Sequence, residues 1–155
     1  ATTGDQDVTA TLTIANNIAA ALSYPQVDFE TSNLLGDNNG TLNNYNVGVT
    51  GYQLDYSGTS TVYGVNVCLS STDLTSGSNT LASNRMEYAD LANTTTASLP
   101  AKSASVNILN SPTNVETGLD PGESLYQRYW IDLSGGTPAG TYTGSATLSV
   151  QSAAC

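Results

Sequence analysis

VTATLTIANNIAAALSY, residues 8–24, is the stretch that decides the fold of this chain. From residue 8 to residue 14 every second side chain is apolar, and the residues between them are threonines. A strict period of two is typical of a β-strand that buries one face. The apolar face consists of Val8, Ala10, Leu12 and Ile14. A strand of this kind at the N-terminal end of the sequence needs a partner sheet.

The apolar character continues to Tyr24 without a Gly or Pro to end it. A short helix is the alternative for this part, because apolar residues recur at every fourth position from Ile14 to Leu22. The strand has two candidate places: a sheet of its own domain, or a groove in a neighbouring subunit. If the strand fills a groove in a neighbouring subunit, the chain consists of a donor arm, residues 1–17, and a β-sandwich domain, residues 18–155.

The rest of the sequence predicts about eight to ten short strands separated by turn residues, with no helical crossover. One of them lies in residues 59–71, where Val65, Val67 and Leu69 fall on one face and Asn66 and Cys68 on the other. The clearest strands are Ser124–Leu133 and Thr141–Val150, which we expect to be antiparallel neighbours because a tight connection, GGTPAG, lies between them. The fold class is therefore all-β. We expect a single immunoglobulin-like or jelly-roll-like β-sandwich with an extended N-terminal donor strand.

Other stretches carry weaker signals. The polar stretch 71–80 predicts a long connection, and the Pro- and Gly-containing stretch 110–124 predicts a loop. Residues 37–40, DNNG, predict a turn. Residues 81–92, LASNRMEYADLA, fit either a short helix or an edge strand.

The composition indicates a largely neutral, hydroxyl-rich exterior. Only 10% of the residues are charged, and three Lys and Arg stand against thirteen Asp and Glu, which gives a net charge of −10. So few basic residues exclude the basic surface with which proteins bind nucleic acid or anionic lipid. No stretch approaches the roughly 18 apolar residues that indicate a membrane-spanning helix. We therefore expect no nucleic-acid partner and no membrane span.

Cys68 and Cys155 are the only two cysteines of the sequence. Their spacing is not that of a metal site, and such a pair predicts a disulfide formed in an oxidising compartment, with two free thiols as the alternative. The sequence begins at Ala1 without a Met, as expected of a mature chain after removal of a signal peptide. Both observations predict a secreted or cell-surface protein.

Catalytic chemistry has little support in the sequence. The absence of His removes Ser-His and Cys-His nucleophile systems and the zinc sites that need His. Two carboxylate pairs are formally available for acid–base work, Asp28 with Glu30 and Asp120 with Glu123. Turns and solvated strand faces explain these carboxylates more simply. We therefore predict no enzyme, no cofactor and no metal site.

Two Asn-x-Thr sequons predict N-glycosylation at Asn39 and Asn93, both in segments that we expect to be loops. An aromatic platform for a sugar ring is a further candidate binding site, although alternation within strands favours a core position for most of its side chains. Its members would be Tyr126, Tyr129, Trp130 and Tyr142.

Both ends of the chain resemble a known family. The N-terminal VTATLTI strand, the C-terminal WIDLSGGTPAGTYTGSATLSV pair and the lysine-poor, hydroxyl-rich composition resemble subunits of prokaryotic extracellular filaments. The resemblance is greatest to archaeal threads and bundling pili related to the biofilm fibre protein TasA. It implies a β-sandwich whose N-terminal strand inserts into the next subunit, a surface location and frequent glycosylation. It does not extend to type IV pilins, whose continuous apolar N-terminal helix this sequence lacks.

We therefore expect a structural subunit that polymerises head-to-tail with identical copies by donor-strand complementation. The donor-strand contacts would be Val8, Ala10, Leu12 and Ile14. Other filaments or cell surfaces are further candidate partners. The alternative is a monomeric cell-surface or carbohydrate-binding module that keeps the first strand in its own sheet.

Overall fold

The computed structural model describes residues 10–22, 29, 36–39, 52–93, 101–133 and 135–155, and antiparallel β-strands dominate them. Short 3-10 turns, Ser83–Arg85 and Lys102–Ala104, are the helical elements in these ranges. The prediction of an all-β chain is confirmed. The strands are β1 (Ala20–Leu22), β2 (Gly36–Asn39), β3 (Tyr52–Tyr56), β4 (Val65–Ser71), β5 (Leu74–Ser76), β6 (Asn79–Leu81), β7 (Met86–Asn93), β8 (Val106–Asn107), β9 (Thr113–Leu119), β10 (Ser124–Leu133) and β11 (Ala146–Gln151).

The strands form two larger sheets and one small hairpin. Sheet A has the strand order β1-β3-β10-β7-β8, with β2 paired to the last four residues of β10. Sheet B has the order β11-β4-β9, and β5 pairs with β6 in the hairpin. In the described part of the chain, β1 therefore lies at one edge of sheet A and β11 lies at one edge of sheet B.

The hydrophobic core lies between sheets A and B. The alternating apolar residues Val65, Val67 and Leu69 of β4 are buried there, as the sequence pattern predicts. Val65 and Val67 pack against Leu54 of β3 and Leu125 of β10, which come from the opposite sheet. Burying one such side chain stabilises a fold by about 1.5 to 3 kcal/mol. These contacts across the core hold the two sheets face to face.

The expectation that the last two strands are antiparallel neighbours is wrong. The segment Ser124–Leu133 forms β10 in sheet A, whereas β11 pairs with β4 in sheet B. Both edges of β10 are occupied, one by β7 and the other by β3 and then β2, so no edge is left for β11. The connection between them crosses from one sheet to the other, and Thr143 forms a β-bridge with Thr75 on the way.

Five weaker sequence predictions are also corrected. The stretch 81–92 contains β7, which is neither a helix nor an edge strand, because it lies between β10 and β8. The polar stretch 71–80 contains β5 and most of β6, joined by a tight turn in which Gly77 has a positive φ of 61°. The stretch 110–124 contains β9, and residues 37–40 lie mostly in β2 rather than in a turn. The described residues of the 14–22 segment contain no helix, since Ala20–Leu22 is a strand.

The predicted disulfide between Cys68 and Cys155 is confirmed, with a Cα–Cα distance of 5.7 Å. Cys68 lies in the central strand of sheet B on the face opposite to the core residues Val67 and Leu69. The residues after β11 reach across this outer face, where the side-chain amide of Asn66 donates a hydrogen bond to the carbonyl oxygen of Ala153 at 3.0 Å. The disulfide therefore links the end of the chain to the middle of sheet B.

Candidate functional site: an exposed arm beside an open groove

The segment that precedes β1 carries large apolar side chains on the protein surface. Leu12 is 85% exposed and Ile14 is 69% exposed. Ala10 is exposed as well, whereas Val8 lies outside the described residues. Leaving a side chain of the size of Leu or Ile in water rather than burying it costs about 1.5 to 3 kcal/mol. Three of the four residues predicted as donor-strand contacts are thus available to a partner surface.

The arm is fixed to the domain at its root, residues 15–19. The carbonyl oxygens of Ala15 and Asn17 accept hydrogen bonds from the hydroxyl and the backbone N–H of Thr61, each at 2.9 Å. The carbonyl oxygen of Ala19 accepts one from the backbone N–H of Ser57 at 2.8 Å. Hydrogen bonds made by every second residue are typical of an extended chain. The root therefore continues the direction of β1 instead of folding back over the domain.

An open groove of about 510 Å³ lies between the edge strands of the two sheets. Leu54, which is buried, belongs to the core and to the wall of the groove. Ile18 and Leu22 are 39% and 44% exposed, so apolar surface of β1 and of the arm root faces solvent there. The full lining is apolar and consists of Ile18, Ala20, Ala21, Leu22, Leu54, Leu148 and Val150.

One wall of the groove belongs to β11, an edge strand. Its paired partner in the described part of the chain is β4, so its other edge presents backbone N–H and C=O groups that no described strand satisfies. Such an edge is a template for a further strand. Leu148 and Val150 are only half-buried, whereas Val65 and Val67 of β4 are fully buried. The core is therefore covered less completely at this edge than in the middle of sheet B.

The aromatic side chains do not form an exposed platform for a sugar ring. Trp130 is only 4% exposed, and Tyr126 and Tyr129 are buried as well. The guanidinium of Arg128 lies 5.2 Å from the ring centre of Trp130, a cation–π distance. Tyr142 is half-buried and its hydroxyl donates a hydrogen bond to the carbonyl oxygen of Pro138 at 2.8 Å.

The carboxylate pair Asp120 and Glu123 stabilises a turn. Asp120 Oδ1 accepts a hydrogen bond from the backbone N–H of Gly64 at 2.8 Å, and Glu123 Oε2 accepts one from the backbone N–H of Asp120 at 2.8 Å. Glu30 and Asp28 lie outside the described residues. Within the described ranges, no three side chains of the metal-binding types come together.

A different acidic group, for which the sequence carries no signal, lies between the sheets. Asp90 of β7 is directly opposite Gln127 of β10, and Gln127 is only 1% exposed. Burial raises the pKa of Asp90 to about 6, and the negative charge of Glu116 raises it as well. Gln127 Oε1 accepts a hydrogen bond from the Tyr129 hydroxyl at 2.7 Å, whereas Gln127 Nε2 has no hydrogen-bond partner among the described residues.

Both predicted glycosylation sites lie at strand ends rather than in loops. Asn39 is the last residue of β2, where it pairs with Trp130, and Asn93 is the last residue of β7, where it pairs with Ser124. The two residues that follow each asparagine in its sequon lie outside the described residues. N-glycosylation at Asn39 and Asn93 stays a prediction.

Comparison with protein-family models, with curated proteins and with solved structures finds no match to the chain. Within the described residues, no helix has the length and apolar character that crossing a membrane requires.

Proposed function

We propose that this protein is a non-enzymatic structural subunit of an extracellular filament, in which the arm of one copy fills the groove of the next. The observation that carries the proposal is an exposed apolar arm on a domain that also has an open apolar groove. Leu12 and Ile14 of the arm and Leu22, Leu148 and Val150 of the groove are chemically matched. Burying them against one another relieves two exposed apolar surfaces at once.

The contact would repeat from copy to copy. The arm and the groove are different surfaces of the same chain, so a copy that gives its arm still has its own groove to fill. Such a heterologous contact continues into a filament wherever the geometry does not close into a ring. Adding a strand to β11 would also remove an exposed sheet edge, which is a hazard for a secreted β-protein.

The surface location and the role in adhesion belong to the same proposal of a filament subunit. The resemblance to archaeal threads, bundling pili and the TasA-related fibres of biofilms supports a surface location and a role in adhesion. The Cys68–Cys155 disulfide fits an oxidising exterior. We propose an immunoglobulin-like or jelly-roll-like sandwich of residues 18–155, with residues 1–17 as the donor arm.

The experiment compares two double variants of the arm. Leu12→Gln with Ile14→Gln removes the apolar face, whereas Thr11→Gln with Thr13→Gln changes the threonine face without changing charge. The purified parent chain should form filaments in electron micrographs. The apolar-face variant should remain monomeric and unfold at the same denaturant concentration as the parent chain diluted to a monomer. The threonine-face variant should still polymerise.

Two outcomes would overturn the proposal. One is an apolar-face variant that polymerises as well as the parent chain. The other is a parent chain that remains monomeric at every concentration, as expected of a surface module whose first strand stays in its own sheet.

A further inference from the structure

We infer that the arm of the incoming copy pairs with β11 in the antiparallel direction and becomes the fourth strand of sheet B. This inference rests on the proposed function and adds to it the edge that is used and the direction of the added strand. The occupant of the groove is the alternating segment 8–14 of a second copy of this chain.

The length of each edge favours β11 over β1. Within the described residues β1 has three residues and β11 has six, so β11 offers the longer described backbone edge to an alternating segment. The side-chain pattern agrees with this choice. Leu148 and Val150 line the groove while Thr147 and Ser149 alternate with them, which is the same apolar-and-hydroxyl alternation that residues 8–14 carry. Paired side by side, the two strands would place both apolar faces on the core side.

The direction follows from the topology of the two edge strands. We call the end of the domain that holds the loop 57–64 the arm end, because the arm root is bonded to this loop. β1 runs away from the arm end, since Ala20 pairs with Tyr56 next to the loop and Leu22 pairs with Leu54 further on. The strand therefore starts where the arm meets the domain.

β11 runs in the opposite sense. Its last residue, Gln151, pairs with Asn66 close to the same loop, and its first residue, Ala146, pairs with Ser71 at the far end. β1 and β11 are thus antiparallel across the groove. The arm continues the line of β1 through residues 15–19, so it leaves the domain at the arm end with the direction of β1. A second copy placed further along this line, in the same orientation, receives a strand that is antiparallel to its β11.

If the arm folded back into the groove of its own domain, residues 8–14 would have the opposite direction relative to β11. The chain would have to reverse at the root, and residues 8–14 would then run parallel to β11. The root makes hydrogen bonds at Ala15, Asn17 and Ala19 in an extended form, which is incompatible with a reversal there. The direction of pairing therefore distinguishes an arm given to a neighbour from an arm kept at home.

Disulfide cross-linking of the full-length chain measures this direction. One arm substitution, Thr9→Cys, Thr11→Cys or Thr13→Cys, is combined with one β11 substitution, Thr147→Cys, Ser149→Cys or Gln151→Cys, which gives nine double variants. Cross-strand neighbours on one face have Cβ atoms about 4.5 to 5.5 Å apart, close enough for oxidation to join them after a small adjustment. Correctly paired variants should give a ladder of covalent oligomers on non-reducing gels, and reduction should remove the ladder.

Antiparallel pairing predicts that the preferred partner on β11 moves to higher residue numbers as the arm position moves to lower ones. Variants with a single new Cys should give dimers at most. Filaments that cross-link in the opposite order, or that give no ladder with any of the nine pairs, would overturn the inference while leaving the filament proposal intact. A parent chain that forms no filament would overturn the proposed function itself, and cross-links confined to monomers in the parallel order would overturn both.

Discussion

Asn17 and Thr61 are joined by two hydrogen bonds that run in opposite directions. The backbone N–H of Asn17 donates to Thr61 Oγ1 at 2.7 Å, and the backbone N–H of Thr61 donates to the carbonyl oxygen of Asn17 at 2.9 Å. The Thr61 hydroxyl also donates to the carbonyl oxygen of Ala15. One threonine side chain thus determines where the arm leaves the domain.

Replacing Thr61 by Val should loosen the arm root while leaving the core intact. The change removes the hydroxyl but keeps the shape of the side chain, and a typical hydrogen bond contributes a net stabilisation of about 0.5 to 1.5 kcal/mol. Amide hydrogen exchange at Asn17 should become faster, whereas exchange in β4 and β10 should not change. Filament assembly should slow, because the arm would no longer be held in line with β1.

Thr59→Val is the matched control for this substitution. The Thr59 hydroxyl contacts the Ser57 hydroxyl at 2.8 Å, and the bond from the Asn17 side chain to Thr59 uses the backbone oxygen, which the substitution keeps. Equal exchange rates at Asn17 in the two variants would contradict the role given to Thr61.

Asp90 should make the protein more stable in mild acid than at neutral pH. Burial, and secondly the charge of Glu116, raise the pKa of Asp90 to about 6 in the folded state, against about 3.9 in an unfolded chain. The folded state therefore binds more protons between these values. The stability that Asp90 contributes is fully present below about pH 4 and is lost as the pH rises through 6.

Asp90→Asn should remove this step in the curve of unfolding free energy against pH. The full shift would correspond to about 3 kcal/mol, but the carboxyl is only half-buried, so solvent screening reduces the expected gain at pH 7 to about 1 kcal/mol. Urea unfolding between pH 4 and pH 8 measures it. Asp132→Asn removes a carboxylate from a more exposed place in β10 and should keep the step. An unchanged step in Asp90→Asn would contradict the assignment.

Loss of the Cys68–Cys155 disulfide should destabilise the domain strongly. The bond closes a loop with a sequence separation of 87 residues, for which the chain-entropy model gives about 4.5 kcal/mol. The double variant Cys68→Ala with Cys155→Ala should unfold at a much lower urea concentration. When urea unfolding of the parent chain is measured in the presence of a thiol reductant, its midpoint should fall to that of the double variant. A loss smaller than about 1 kcal/mol would contradict a structural role for the bond.

The sequence predicts single strands better than it predicts their neighbours. Val65, Val67 and Leu69 alternate with polar residues and Cys68, and this pattern placed β4 correctly because alternation reports which face is buried. The same pattern does not report which strand lies alongside. For this reason the sequence predicts both β10 and β11 as strands but pairs them with each other, whereas they lie in different sheets.

The sequence does not predict strand β9, for a different reason. Its Gly118 has a φ of 82°, and its register against β4 shifts between Val67 and Cys68, as in a bulged strand. A bulged strand that contains Gly and is flanked by proline resembles a loop in sequence. The disulfide is predictable from residue types, whereas the groove is not, because Leu54 and Leu148 meet only through the packing of two sheets.

Mixing two assembly-deficient variants tests the exchange of the arm most directly. Leu12→Gln with Ile14→Gln has a defective arm and an intact groove. Leu22→Asp changes a groove side chain that is 44% exposed, so its fold should survive while its groove no longer accepts an arm. Each variant alone should sediment as a monomer, and a mixture should form a one-to-one complex that does not grow further. A mixture that remains monomeric, or a Leu22→Asp variant that polymerises like the parent chain, would contradict the account.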